Sequence, residues 1–146
     1  MILYLDTSAL VKKYFQEKNS AQVAFAWKSS LGIATSAVAY AELLAAVYRK
    51  AAEARLKKTL VETIVGLFQE DWASLIVVEV DNRLNELIHR LVATYPLRGF
   101  DAIHLASALT IAAAVTNNFV FACYDKRLMN AARVEGLEGL SHTIEI

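Results

Sequence analysis

Short, continuously apolar runs alternate along the chain with longer stretches whose apolar residues recur every three or four positions. Residues 2–5 predict a strand buried on both faces, because the run is apolar throughout and too short for a helix. Asp6, Thr7 and Ser8 are helix-start residue types, and 9–15 predict a short helix. Residues 20–29 carry Ala, Val, Phe and Trp at helical spacing, and 32–35 predict a brief strand. The stretch 36–53 predicts a strong helix rich in Ala, Leu and Tyr, with Ser36 as its cap. Residues 56–72 predict an amphipathic helix with Leu60, Ile64, Leu67 and Phe68 on its apolar face. A strand at 75–80 and a helix at 81–95 follow, and Pro96, the only proline, stops that helix. A helix at 101–115, a strand at 119–124, a helix at 126–134 and a terminal strand at 143–146 complete the pattern. Strands alternating with helices predict an α/β fold with a mostly parallel sheet. No repeat, low-complexity tract or linker interrupts it, so residues 1–146 are expected to form a single domain.

Between 102 and 124 there is no Asp, Glu, Lys or Arg, which passes a crude length test for a membrane span. His104, Ser107, Thr110, Thr116 and the Asn117-Asn118 pair argue instead for a buried helix, a turn and a buried strand. The residues around Met1 carry no basic run or cleavage pattern, so no secretory signal is expected. A hydrophobic content of 56% excludes a disordered chain and leaves apolar surface for a partner chain. Cys123 is the single cysteine and has no intramolecular disulfide partner, which fits a reducing compartment; a cytoplasmic location is expected. Fifteen basic residues balance fifteen acidic ones, so the cationic pull of a DNA-coating protein is missing.

Phosphate-binding loops, dinucleotide fingerprints, paired-cysteine zinc motifs, zincin helices and serine-hydrolase elbows do not occur. What the chain does contain is carboxylates in apolar surroundings. Asp6 and Asp125 directly follow predicted strands, at the sheet edge where open α/β folds place ligands. Asp101 opens an uncharged helix. Glu42 is the only charge between Lys28 and Arg49, and no Lys or Arg lies within a helical turn of it. A buried carboxylate must be paired, protonated or bound to metal. Each acid also has a plainer reading: a helix cap for Asp6, a helix-dipole charge for Asp101, a surface turn for Asp125, and a distant partner such as Arg98 for Glu42. Were the four to converge, divalent cations between them would relieve their repulsion, and oxygen-rich clusters suit Mg²⁺ or Mn²⁺. Apart from these four acids, the chain carries a net positive charge. Lys12, Lys13, Lys126 and Arg127 lie close behind the two strand-end aspartates and are candidate phosphate contacts.

The segments Leu5-Asp6-Thr7-Ser8-Ala9-Leu10, Ala41-Glu42-Leu43, Arg98-Gly99-Phe100-Asp101-Ala102-Ile103-His104-Leu105-Ala106-Ser107-Ala108 and Tyr124-Asp125-Lys126-Arg127-Leu128 resemble, in order and spacing, the PIN-domain family. Within it they are similar to the toxin ribonucleases of VapBC toxin–antitoxin pairs. The resemblance implies a three-layer α/β/α sandwich and a Mg²⁺- or Mn²⁺-dependent endoribonuclease. It implies that Asp6 and Asp101 are metal ligands, with Glu42 and Asp125 completing the catalytic, metal-holding pocket. It also implies a VapB-type antitoxin wrapped over the helices of 37–48 and 56–68, and a homodimer. Relatives often carry Thr or Ser where this chain has Cys123; a thiol is a poor donor, so Thr7 or Ser8 is expected to supply a hydroxyl instead. Cys123 itself reads as a small buried hydrophobe. His104 either reaches the pocket or is a buried structural histidine. Two other readings stay open: a catalytically silent PIN-like scaffold that binds a protein partner, and an aspartate-based phosphotransfer domain. The phosphotransfer reading is weakened by Ser8, which stands where phosphatases of that type need a second aspartate.

Overall fold

In the computed structural model, residues 1–140 are described. Four strands form one sheet, β1 (Ile2–Leu5), β2 (Gly32–Ser36), β3 (Ile76–Val78) and β4 (Phe119–Ala122), in the order β3-β2-β1-β4 with every neighbouring pair parallel. The helices are α1 (Thr7–Leu10), α2 (Ser20–Lys28), α3 (Val38–Ala54), α4 (Lys58–Trp72), α5 (Asn85–Thr94), α6 (Gly99–Ala114) and α7 (Lys126–Val134).

Alternation along β1 divides the core. Leu3 and Leu5 pack with α1 to α4, whereas Ile2 and Tyr4 pack with α5 to α7. The three-layer α/β/α sandwich with a parallel central sheet is therefore the observed architecture. The uncharged stretch divides between α6 and β4, and among the described residues no helix is long and apolar enough to cross a membrane.

Several boundaries differ from expectation. The helix expected at 9–15 is α1 followed by a single 3-10 turn, Val11–Lys13. Ser36 is the last residue of β2, paired with Val78, and Ala37 occupies the cap position of α3, but the Ser36 hydroxyl still accepts from the Val38 amide at 3.3 Å, in the first turn of the helix. The buried face of α4 is Val61, Ile64 and Phe68, while Leu60 and Leu67 are about half exposed. A shift of one position turns a helix by about 100°, so spacing alone leaves the phase of the buried face open. The segment expected as one helix at 81–95 begins as a 3-10 turn, Asn82–Leu84, in which the Asp81 side chain accepts from the Arg83 amide. β4 ends at Ala122, and Cys123 and Tyr124 form the bend leading into α7. The strand expected at 143–146 lies outside the described residues.

Candidate active site

The strand order reverses between β1 and β4, because the chain leaves β1 toward β2 and β3 and returns on the other side to β4. Parallel sheets open a crevice at the carboxyl ends of the strands where such a reversal occurs. Asp6 follows β1 and Asp125 follows β4 by three residues, so both stand at that crevice. The ladder continues into it, since the Asp6 amide donates to the Ala122 carbonyl at 3.2 Å. Glu42, in the second turn of α3, and Asp101, in the first turn of α6, approach from the two flanking layers.

Asp6 is buried. Its Oδ1 accepts from the Ser8 hydroxyl at 2.7 Å and from the Ala9 amide at 3.0 Å, so it does cap α1. Burial pushes its carboxyl up despite the opposing influence of His104 and the Ser8 bond. Asp125 is exposed and caps α7 through the Leu128 amide at 2.9 Å. The cap considered for Asp6 is thus real, whereas Asp125, read as a surface turn, is the cap of α7; both roles coexist with a position at the crevice.

Glu42 is partnered by His104 and Thr7, not by Arg98. Its Oε1 accepts from the Thr7 hydroxyl at 2.7 Å and from His104 Nε2 at 2.9 Å. On the far side of the ring, His104 Nδ1 meets the Tyr4 hydroxyl at 2.8 Å. Burial pushes the Tyr4 phenol well up, so it stays protonated, and on the other side of the ring Nε2 offers its hydrogen to Glu42. Burial opposes ionisation of Glu42, yet the bonds from His104 and Thr7 hold its carboxyl below the ordinary range. His104 is therefore both buried and joined to the crevice. Asp101, half-buried, is pushed up first by burial and then by the charge of Asp125; His104 and Arg98 pull the other way and Glu42 adds to the rise. These mutual influences place Asp101 in the field of two other acids.

Asp101, Asp125, Lys126 and Arg127 line one cleft of about 270 Å³ together with Pro96 and Arg98. Arg98 is a phosphate candidate that the sequence reading did not single out; its place three residues before Asp101 was the available signal. Lys12 and Lys13, expected near phosphate, are engaged elsewhere. Lys12 pairs with Glu17 at 3.1 Å, and Lys13 pairs with Asp71 at 2.6 Å and lies 3.8 Å over the Trp27 ring. Cys123 is partly exposed rather than buried. Burial and then the Asp6 charge push its thiol up. The hydroxyls of Thr7 and Ser8 do touch the acids, on Glu42 and Asp6 respectively.

None of the four acids pairs with Lys or Arg among the described residues. Among those residues, too, no three His, Cys, Asp or Glu side chains form a ready-made cage. An all-oxygen set in an open cleft fits a hard cation that keeps several waters and takes one or two carboxylates directly, as Mg²⁺ does, better than it fits zinc.

The raised Asp6 carboxyl has a consequence for stability. The folded chain holds that proton more tightly than the unfolded chain does. The stability tied to this group is complete below its unfolded value of about 3.9 and is lost as pH rises through the higher folded value. Asparagine offers Ser8 and Ala9 the same acceptor without the charge. In metal-free protein, Asp6→Asn is expected to melt higher than the parent at pH 7, by about 2–4 °C per kcal/mol relieved. The gap should close as pH falls toward 4 in paired thermal melts; a gap that widens there contradicts this account.

A PIN-domain family model matches residues 3–133. Ribonuclease VapC45 of Mycobacterium tuberculosis is 30% identical over 135 residues, covering 92% of both chains. Among solved structures, FitAcB from Neisseria gonorrhoeae superposes with a TM-score of 0.66 at 16% identity, covering 97% of each chain. VapBC2 from Rickettsia felis, solved with a DNA fragment from its promoter, gives 0.63 at 16% identity, covering 95% of this chain and 97% of the other. With the acids gathered at the β1–β4 crevice of a parallel sandwich and these similarities across its length, the chain belongs to the PIN-domain family and, within it, to the VapC ribonucleases.

Proposed function

We propose that this chain is the toxin of a type II toxin–antitoxin pair, an endoribonuclease that hydrolyses RNA phosphodiester bonds with a divalent metal ion. Ribonucleases of this family are metal-dependent; Mg²⁺ or Mn²⁺ is the ion we assign, on the oxygen-only donor set. The observation that carries the reading is that Asp6, Glu42, Asp101 and Asp125 all approach the carboxyl end of the sheet, with no Lys or Arg paired to any of them among the described residues.

Asp6 and Asp101 would hold the ion, with Glu42 and Asp125 completing the acidic pocket. When bound, the ion neutralises phosphate charge and acidifies an attacking water. The protein supplies position. Thr7 and His104 fix one Glu42 oxygen, so the carboxylate is oriented before substrate arrives. Ser8 and the Ala9 amide do the same for Asp6. Arg98, Lys126 and Arg127 stand beside the acids, where they can bind the phosphates flanking the cut. No side chain is needed as a covalent nucleophile.

A cognate VapB-type antitoxin belongs to this reading. Tyr48, Leu60 and Leu67 leave large apolar side chains about half exposed on α3 and α4, the helices expected to carry it. A homodimer, a single domain over 1–146 and a cytoplasmic location complete the proposal. The test is cleavage of a labelled single-stranded RNA. We expect no cleavage in EDTA and full recovery on adding Mn²⁺ or Mg²⁺. Cleavage unaffected by EDTA would overturn the metal role, and no cleavage with either ion would favour the silent scaffold.

A further inference from the structure

A second concavity, about 380 Å³, adjoins the acidic cleft and shares Asp125 and Lys126 with it. The two hollows therefore meet at the corner where β4 turns into α7. The second is lined by Gln22 of α2, by Cys123 and Tyr124 of the bend, and by Met129, Asn130 and Arg133 of α7. Lys126, Met129, Asn130 and Arg133 stand at positions i, i+3, i+4 and i+7, which is one face of a helix. Met129 is buried, whereas Lys126, Asn130 and Arg133 are exposed, and their side chains make no hydrogen bond or ion pair among the described residues. Tyr124 is held in place: its hydroxyl donates to Gln22 Oε1 at 2.6 Å, and the Lys12 ammonium lies 4.8 Å over its ring.

The volume falls within the range of small-ligand sites, roughly 300–1,000 Å³. Its chemistry is an apolar floor, an aromatic wall, an amide able to donate and accept, and a cation at each end about two helical turns apart. Unpaired bases need such surroundings, because an aromatic or apolar surface receives the ring, a side-chain amide reads its edge, and cations hold the phosphates on either side. We infer that this concavity is a nucleotide subsite of single-stranded RNA, taking the nucleotide next to the scissile phosphate. Asn130 reads the base edge, Tyr124 and Met129 contact the ring, and Arg133 binds the following phosphate. The inference rests on the ribonuclease reading above. Continuity with the acidic cleft and two cations without a partner among the described residues favour RNA over a segment of a protein partner.

The experiment compares the full chain with Asn130→Ala and Arg133→Ala. Both residues are exposed, so the fold should survive. Binding of a labelled single-stranded RNA 12-mer is measured in EDTA across a salt series. Arg133→Ala should weaken binding about three- to tenfold and reduce the salt slope by about 0.7, one phosphate's share on a single strand. Asn130→Ala should weaken binding about two- to fivefold at unchanged slope and narrow the differences among homopolymer 12-mers. Turnover of bis(p-nitrophenyl) phosphate with Mn²⁺, a diester without a base, should be unchanged in both. Unaltered RNA affinity in both variants, no RNA binding by the parent, or weaker antitoxin binding with RNA binding intact would overturn the subsite. A parent that binds RNA through Asn130 and Arg133, yet cuts neither substrate, would sink the nuclease reading and keep the subsite.

Discussion

Asparagine at position 101 is expected to lower metal-dependent RNA cleavage at least about a hundredfold, a loss of about 3 kcal/mol or more of transition-state stabilisation. Asp101 lies in the cleft with Asp125, Arg98, Lys126 and Arg127, and its carboxyl is pushed up by burial and by Asp125. Removing its charge would remove a proposed cation ligand and relieve repulsion among the acids. The favourable charge in the first turn of α6 is lost as well, worth about 0.3–1 kcal/mol, so the fold should change little in stability. Asp6→Asn should lose activity to a similar extent while gaining stability without metal. A purely structural aspartate would show the reverse pairing. Initial rates with saturating Mn²⁺, measured beside thermal melts, decide between them; an active Asp101→Asn would remove Asp101 from the chemistry.

The largest loss of stability is expected from Phe68→Ala. Phe68 is fully buried on α4, with ring centroids of Tyr14, Tyr40 and Trp72 at 5.6, 5.4 and 5.6 Å. Truncating a buried Phe costs about 3–5 kcal/mol through lost transfer energy and the cavity left behind. That is a large share of the roughly 5–15 kcal/mol holding a domain together. For a chain of this size it corresponds to a thermal midpoint roughly 6–20 °C lower. Cleavage measured well below the new midpoint should persist, because no ring in this cluster lines the acidic cleft. A fall of less than about 4 °C would show that the cluster is not the anchor of α4.

What sequence alone conveys here divides along physical lines. The apolar runs of β1 and β4 could be read because a central strand is buried on both faces, and α7 spans the expected 126–134 because its apolar positions keep helical spacing, while its Asp125 cap emerges only in the fold. The phase of α4 could not, since the choice of Val61 over Leu60 depends on how Phe68 seats among rings from α3 and the turn after α1. The same limit applies to the acids. Glu42 is conspicuous in sequence as a lone charge, but its partners His104 and Thr7 lie 62 and 35 residues away. Lys13 looks poised behind Asp6 and instead reaches Asp71, 58 residues on, because the 3-10 turn at Val11–Lys13 aims it at α4. Local spacing reports which residues need a partner; only the assembled layers decide which partner they meet.

Crystals grown or soaked with Mn²⁺ and measured at its absorption edge give the most direct test of the shared cation. Anomalous density between the carboxylates of Asp6 and Asp101, within coordinating distance of at least one oxygen from each, is the predicted result. Manganese bound elsewhere on the chain, with Asp6 left to its helix cap and Asp101 to water, would contradict it.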